Sequence, residues 1–309
     1  MLQRFIVVGA GAVGGLLGAS FAQHGADVAF LARGATRDRL RTLGLRVRRG
    51  DTVTEVGPLE AESESARLAP ADVVFLCVKS WQVAPLAAEL GPMLRPGGVI
   101  VPLQNGLEAA DTLAMAVGAD RVLGGLCYVI AAVEGVEIVV RGPPLRIVLG
   151  ELAGGHSARV EAVANALRAA AVTVDTPSDV RCQIWEKLLF VGPLGMVGAA
   201  LGMPAGQFRA LPESRALVAD AMREVATLAG AHGARVDADA VEAALARLDG
   251  LPADAATSMH RDLEAGRPSE LEEQVGAVVR AAARVGVAAP IHSVLYRQLA
   301  ARARLSRGA

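Results

Sequence analysis

The sequence predicts an α/β domain built on a parallel sheet, followed by an all-α domain. Three observations predict it. A strand, a glycine-rich loop, a helix and a second strand follow one another within the first 31 residues. Further on, 72–78 and 99–103 are continuous apolar runs, the pattern of strands buried on both faces, and each is followed by a helical stretch. From Ser178 onward only long Ala/Leu/Val-rich segments with helical spacing remain.

In order along the chain, 4–8 reads as a short buried strand, 12–24 as a helix stopping near Gly25, and 27–31 as a second strand. Residues 36–69 are more polar and mixed, with short strands expected at 45–48 and 52–56. A helix is expected over 82–94, closed by Pro96, Gly97 and Gly98, and another over 107–117. The Val/Ile-rich runs within 122–149 read as antiparallel additions to the sheet, and a helix near 157–170 with a strand near 172–176 ends the first domain. The boundary falls near Pro177, giving domains at 1–176 and 177–309. Helices are expected over 178–200, 212–232, 237–248, 268–286 and 290–304, with Ser178 or Asp179 as a cap and Gly286 as a stop.

Composition narrows the function. The 309 residues are 52% hydrophobic, enough for two cores. A net charge of -1 supplies no basic field for nucleic acid or an anionic membrane. No uninterrupted apolar run is long enough to span a bilayer, and the N-terminus enters a strand rather than a signal segment. Cys77, Cys127 and Cys182 fit neither a disulfide framework nor a zinc site, so a cytoplasmic protein with reduced thiols is expected. His24, His156, His232, His260 and His292 are scattered, so no metal site is expected. Lysine occurs only at Lys79 and Lys187, and asparagine only at Asn105 and Asn165. Arginine supplies every other side-chain cation; an ammonium, unlike a guanidinium, can be tuned to give up its proton.

Gly9, Ala10, Gly11, Ala12, Val13 and Gly14 form G-x-G-x-x-G between a strand and a helix. That is the context in which the motif binds a dinucleotide: a tight turn, close approach of the pyrophosphate, then close helix–strand packing at a positive helix end. The first domain is therefore a Rossmann-type dinucleotide-binding domain. The second strand ends Phe30, Leu31, Ala32, Arg33, with no acid to take ribose hydroxyls. Arg33 would instead pair with a 2′-phosphate, which selects NADPH. Arg37 stands close behind it in an arginine-rich loop and is open to either a phosphate or a solvent role. Ligands of open parallel sheets bind outside the carboxyl ends of the strands. Lys79 follows the run at 72–78 and Asn105 follows 99–103, so one of two lysines and one of two asparagines fall there.

The chain resembles the ketopantoate reductase family (2-dehydropantoate 2-reductases). The resemblance is carried by residues 9–14, by Val78 to Gln82, by Gln104, Asn105 and Gly106, by Ile184 to Leu188, and by Ser258, Met259, Asp262 and Glu270. It implies a helical second domain like that of 6-phosphogluconate dehydrogenase, serving substrate and dimerisation. It also implies NADPH-driven reduction of 2-dehydropantoate to pantoate, in pantothenate and coenzyme A synthesis. By position, Lys187 resembles the lysine that protonates the carbonyl oxygen, and Asn105 the asparagine beside nicotinamide and substrate. Lys79 resembles a lysine near the cofactor, Ser258 the serine that binds the substrate carboxylate, and Glu270 a glutamate at the cofactor end of the site. The chemistry agrees: hydride arriving at a ketone carbon leaves an alkoxide that needs a proton donor. Alternatively, Lys187 could snorkel to the surface and pair with Glu186, and Glu270 could serve only to compensate a helix dipole.

The chain departs from the family pattern at three positions. The family usually has asparagines one and two turns after its lysine, where this chain has Val191 and Gly195, and a polar residue where it has Ala255. Fewer amide donors weaken discrimination for a hydroxylated acid. A reductase of a more apolar 2-oxo acid is therefore one alternative, and a non-catalytic NADPH sensor is another. A methyltransferase would want an acid where Ala32 and Arg33 stand. The expected partner is a small 2-oxo acid, with no nucleic acid and no membrane; the apolar helical half is compatible with a homodimer.

Overall fold

The computed structural model describes residues 2–308. They group into two compact units, residues 2–104 with 109–180, and 105–108 with 181–308. In the first unit β1 (Arg4–Val8), α1 (Ala12–Gln23) and β2 (Asp27–Leu31) come first, as expected. Then follow α2 (Gly34–Thr42), β3 (Leu45–Arg49), β4 (Thr52–Val56), β5 (Glu60–Glu62), β6 (Ala71–Leu76) and α3 (Val83–Leu90). The unit continues with β7 (Leu94–Pro102), α4 (Ala109–Val117), β8 (Gly124–Tyr128), β9 (Ala131–Glu134), β10 (Glu137–Val140) and β11 (Arg146–Gly150). It ends with α5 (Ala158–Ala169) and β12 (Thr173–Asp175).

The main sheet is parallel throughout, in the order β5-β2-β1-β6-β7. Its central strands bury both faces by strict alternation. Phe5 and Val7 of β1, Val28 and Phe30 of β2, and Val73 and Phe75 of β6 enter the core beneath α1 and α5. Ile6, Val8, Ala29, Leu31, Val74 and Leu76 enter the opposite core, beneath α3 and α4. Phe21 of α1 stacks on Phe5 at 4.3 Å between ring centroids, which ties that helix to the sheet.

Several sequence expectations are corrected here. The polar stretch at 34–42 is the helix α2; only its Leu40 is buried, so it carries no apolar stripe to read. Pro96, Gly97 and Gly98 do not close a helix but lie within β7, where the register with β6 slips between Ala71 and Val73. The strands within 122–149 do not extend the main sheet. Two form a small sheet ordered β4-β3-β10-β9, in which β10 runs parallel to β3, and two form another ordered β12-β11-β8.

The second unit contains α6 (Val180–Leu201), α7 (Ala205–Ala210), α8 (Pro212–Ala231), α9 (Ala240–Asp249), α10 (Ser258–Glu264), α11 (Ala277–Val285) and α12 (Pro290–Gly308). The short helices α7 and α10 were not expected, and a π-helical turn, Glu272–Gly276, precedes α11. Gly286 closes α11 in the left-handed conformation, φ 68°, as expected of a stop. α6 is apolar nearly all round: Trp185, Leu188, Leu189, Met196 and Val197 share one buried core with Val218, Met222 and Val225 of α8 and Met259 and Leu263 of α10. By length and composition alone α6 is long and apolar enough to cross a bilayer, but Arg181, Glu186 and Lys187 interrupt it and 67% of its most apolar window is buried within the protein.

Candidate active site

In the first unit the expected residues follow the carboxyl ends of neighbouring strands. The Gly9–Gly14 loop leaves β1, Arg33 leaves β2 and Lys79 leaves β6. Backbone bonds continue past the strand ends and fix these exits: Gly9 N–H donates to Leu31 O at 3.0 Å, and Cys77 N–H to Val8 O at 2.8 Å. Gly9 has φ +94°, and a Cβ there would stand 2.8 Å from Val78 Cγ1. A Cβ at Gly14 would stand 2.0 Å from Gly9 O and 2.8 Å from Cys77 Cβ. Both glycines are therefore required by the protein's own packing. Gly11 is different: a Cβ there meets nothing within 4 Å. Nothing in the chain forbids a side chain at Gly11, so packing within the chain does not account for the motif's second glycine.

α1 starts at Gly11 with no side-chain cap and no acidic residue in its first turn. Its first N–H groups and positive dipole end are thus not neutralised by a side chain, the condition for receiving a phosphate. Arg33, the residue before α2, is exposed and forms no ion pair among the described residues. Arg37, by contrast, is held by Asp38 at 2.6 Å, and this bond keeps its guanidinium pKa above the ordinary value. These features fit a dinucleotide. Lys79 is exposed, with its Nζ 5.7 Å from the centroid of the Trp81 ring. Cys77 lies beneath the glycine loop, and burial pushes its thiol well above the usual range, which makes it a poor nucleophile.

The helical unit brings together residues far apart in sequence. Asn105 Nδ2 donates to Glu270 Oε2 at 3.2 Å, across 165 positions. The same oxygen accepts Gln274 Nε2 at 3.2 Å, and Glu270 is 5% exposed. Two amide donors thus stabilise a buried carboxylate, and Glu270 in turn fixes how the Asn105 amide is turned. Lys187 is half-buried on α6. Its neighbour Glu186 accepts Gln183 Nε2 at 2.7 Å and lies 3.5 Å from Cys182 Sγ, so its carboxylate is committed to the preceding turn. Ser258 opens α10, after Thr257, whose Oγ1 accepts the His260 N–H at 3.2 Å.

The sequence model of the family described as Ketopantoate reductase PanE/ApbA matches residues 5–154, and that of its C-terminal part matches 179–303. This chain belongs to the ketopantoate reductase family. It is similar to an uncharacterised oxidoreductase, YkpB, of Bacillus subtilis, with 27% identity over 96% of this chain and 98% of that one. The 2-dehydropantoate 2-reductase of Mycobacterium tuberculosis is 31% identical over 97% of this chain and 98% of its own length. A crystal structure of 2-dehydropantoate 2-reductase from Geobacter metallireducens superposes with a TM-score of 0.89 at 30% identity, covering 96% of this chain and 99% of the other. The protein is thus an oxidoreductase of the class acting on CH–OH and keto groups.

Two residues of this family member, Gln274 and Glu273, were not singled out in the sequence, and a third, Gln104, entered only as part of the family likeness. The buried Gln104 donates through Nε2 to Leu76 O at 2.8 Å and Val78 O at 2.9 Å, bracing the exit of β6. Gln274 and Glu273 lie in the π-helical turn, a distortion that recurs at functional sites. Burial, with Glu270 and Glu272 nearby, raises the Glu273 carboxyl above its ordinary range, and its Oε2 is buried without a hydrogen-bond partner among the described residues. The only sequence signal was the acidic run Glu270, Glu272, Glu273, which reads equally well as a solvated helix start.

Proposed function

We propose that the protein reduces the carbonyl of a 2-oxo acid with NADPH. The relatives' names make 2-dehydropantoate, giving pantoate, the first acid to try. The reading is carried by Lys187, a half-buried ammonium on an apolar core helix. It stands in the same unit as the Asn105–Glu270–Gln274 network.

NADPH held on the Gly9–Gly14 loop would supply hydride to the carbonyl carbon. Lys187 donates a proton to the carbonyl oxygen as negative charge develops there, and regains it from water. Asn105, with its amide oriented by Glu270, aligns the carbonyl. Ser258 hydrogen-bonds the substrate carboxylate. Arg33 pairs with the 2′-phosphate, and α1 receives the pyrophosphate. The first test is NADPH oxidation with 2-dehydropantoate and a panel of 2-oxo acids, in wild type and Lys187→Ala. Turnover that collapses in the variant while NADPH still binds supports the assignment. A wild type that binds NADPH tightly but reduces no acid refutes it, and leaves a nucleotide sensor as the better account.

A further inference from the structure

Beyond Lys187 the line of α6 that carries it has no polar side chain of its own. Lys187, Val191 and Gly195 recur every four residues and so share one side of the helix, spanning about 12 Å. Val191 is half-buried and packs against the helical core. At Gly195 the line meets the next element: a Cβ there would stand 2.5 Å from Thr257 Oγ1 and 2.8 Å from Met259 Cε. Position 195 therefore has no room for a side chain that could present an amide or hydroxyl. Thr257 Oγ1 is already engaged as the α10 cap. Ala255 adds a half-buried methyl just before it, and its carbonyl accepts the Ala205 N–H at 2.9 Å. The chain thus offers Val191, bare backbone at Gly195 and the methyl of Ala255 along this line.

We propose that the 2-oxo acid handled by Lys187 and Ser258 carries a compact, branched apolar substituent without a hydroxyl, resting on Val191 and Ala255. This rests on the reductase reading above. Its polar arms, carbonyl and carboxylate, are taken by the lysine and the serine, and the third arm meets Val191 and Ala255, neither of which has a side-chain donor or acceptor. A hydroxyl placed there gives up its bonds to water and receives none in return. Apolar sites reject an added hydroxyl by on the order of 10- to 100-fold.

A matched pair tests this. 2-Dehydropantoate and 3,3-dimethyl-2-oxobutanoate share one carbon skeleton and differ only by the terminal hydroxyl. With NADPH, wild-type kcat/KM is expected to favour the compound without the hydroxyl by on the order of 10-fold. Val191→Asn, which supplies an amide, is expected to shrink or reverse that ratio, with NADPH affinity showing that the variant is folded. A wild type that prefers 2-dehydropantoate, or treats the two alike, overturns the inference and leaves the reductase reading standing. An unchanged ratio in folded Val191→Asn removes Val191 as its basis. If neither acid nor any other in the panel is turned over, the reductase reading itself fails, and this inference with it.

Discussion

The first unit carries its candidate nucleotide-binding groups in main chain, and the helical unit carries its candidate groups in side chains. At the Gly9–Gly14 loop the groups that count are N–H donors and the absence of side chains, because Gly9 and Gly14 are dictated by contacts of 2.8 Å and 2.0 Å with the chain itself. In the helical unit the counterparts are an ammonium on α6 and a carboxylate gripped by two amides, Asn105 and Gln274. A main-chain site is specified over six consecutive residues. A side-chain site needs partners delivered by packing, and Asn105 and Glu270 meet only after 165 positions. Main-chain cradles should therefore respond to added bulk, and side-chain sites to lost functional groups.

Lys187→Ala gives the largest expected effect on this contrast. It should lower kcat by roughly 10²–10⁴-fold, the usual worth of a positioned general acid, while NADPH affinity by fluorescence titration stays within about twofold of wild type. Loss of binding with retained kcat would reverse the roles given to the two units. Next comes Arg33→Glu, which should weaken NADPH by roughly 10- to 100-fold and NADH far less, since one charge-assisted contact is lost and a repulsion is gained. Equal weakening of both nucleotides would remove the 2′-phosphate assignment.

Gly14→Ala and Gly11→Ala sharpen the comparison within the loop itself. The first forces a methyl onto Gly9 O and should cost about 1–3 kcal/mol in thermal or denaturant unfolding. The second adds a methyl in open space and should leave the melting temperature near wild type while raising the Kd for NADPH. If the two behave alike, Gly11 is a structural glycine after all.

The smallest effect concerns Glu224 on α8, which accepts the N–H groups of Ile291 and His292 and the His292 Nδ1 at 2.6 Å. Burial alone would raise this carboxyl, but the His292 and backbone donors outweigh it, and the pKa lies below its ordinary 4.5. A lowered folded pKa stabilises the protein above the unfolded value, and the contribution fades as pH falls through the folded one. Glu224→Gln should thus cost about 1.5 kcal/mol at pH 7, and the gap to wild type should narrow below about pH 4. A gap that does not change between pH 7 and pH 3.5 would contradict this origin.

The same contrast explains what the sequence could reveal. The β1–α1–β2 segment was legible because short continuous apolar runs and glycine spacing encode it locally. α2 was not, since only Leu40 faces the core and its arginines give no period. The pairing of β10 with β3 joins strands about 90 residues apart, and no local pattern announces a parallel partner at that distance. Lys187, Asn105, Ser258 and Glu270 were singled out through rarity and family likeness. Gln274 was missed, and Gln104 was named without its bracing role, because a glutamine that braces a loop has the same local sequence as one in solvent.

The four residues Asn105–Glu108 group with the helical unit although the chain before and after them belongs to the other. Leu107 packs on the helical core, and Glu108 holds Arg280 at 2.7 Å and Arg284 at 3.2 Å. A gene fragment beginning at Arg181 would therefore encode an incomplete body, with an unfilled seat for Leu107, Arg284 robbed of its counter-charge and Arg280 left with Glu272 alone. Shuffling the halves of such proteins by a single crossover would misfire for the same reason: the helical half takes one small part of itself from upstream of the cut.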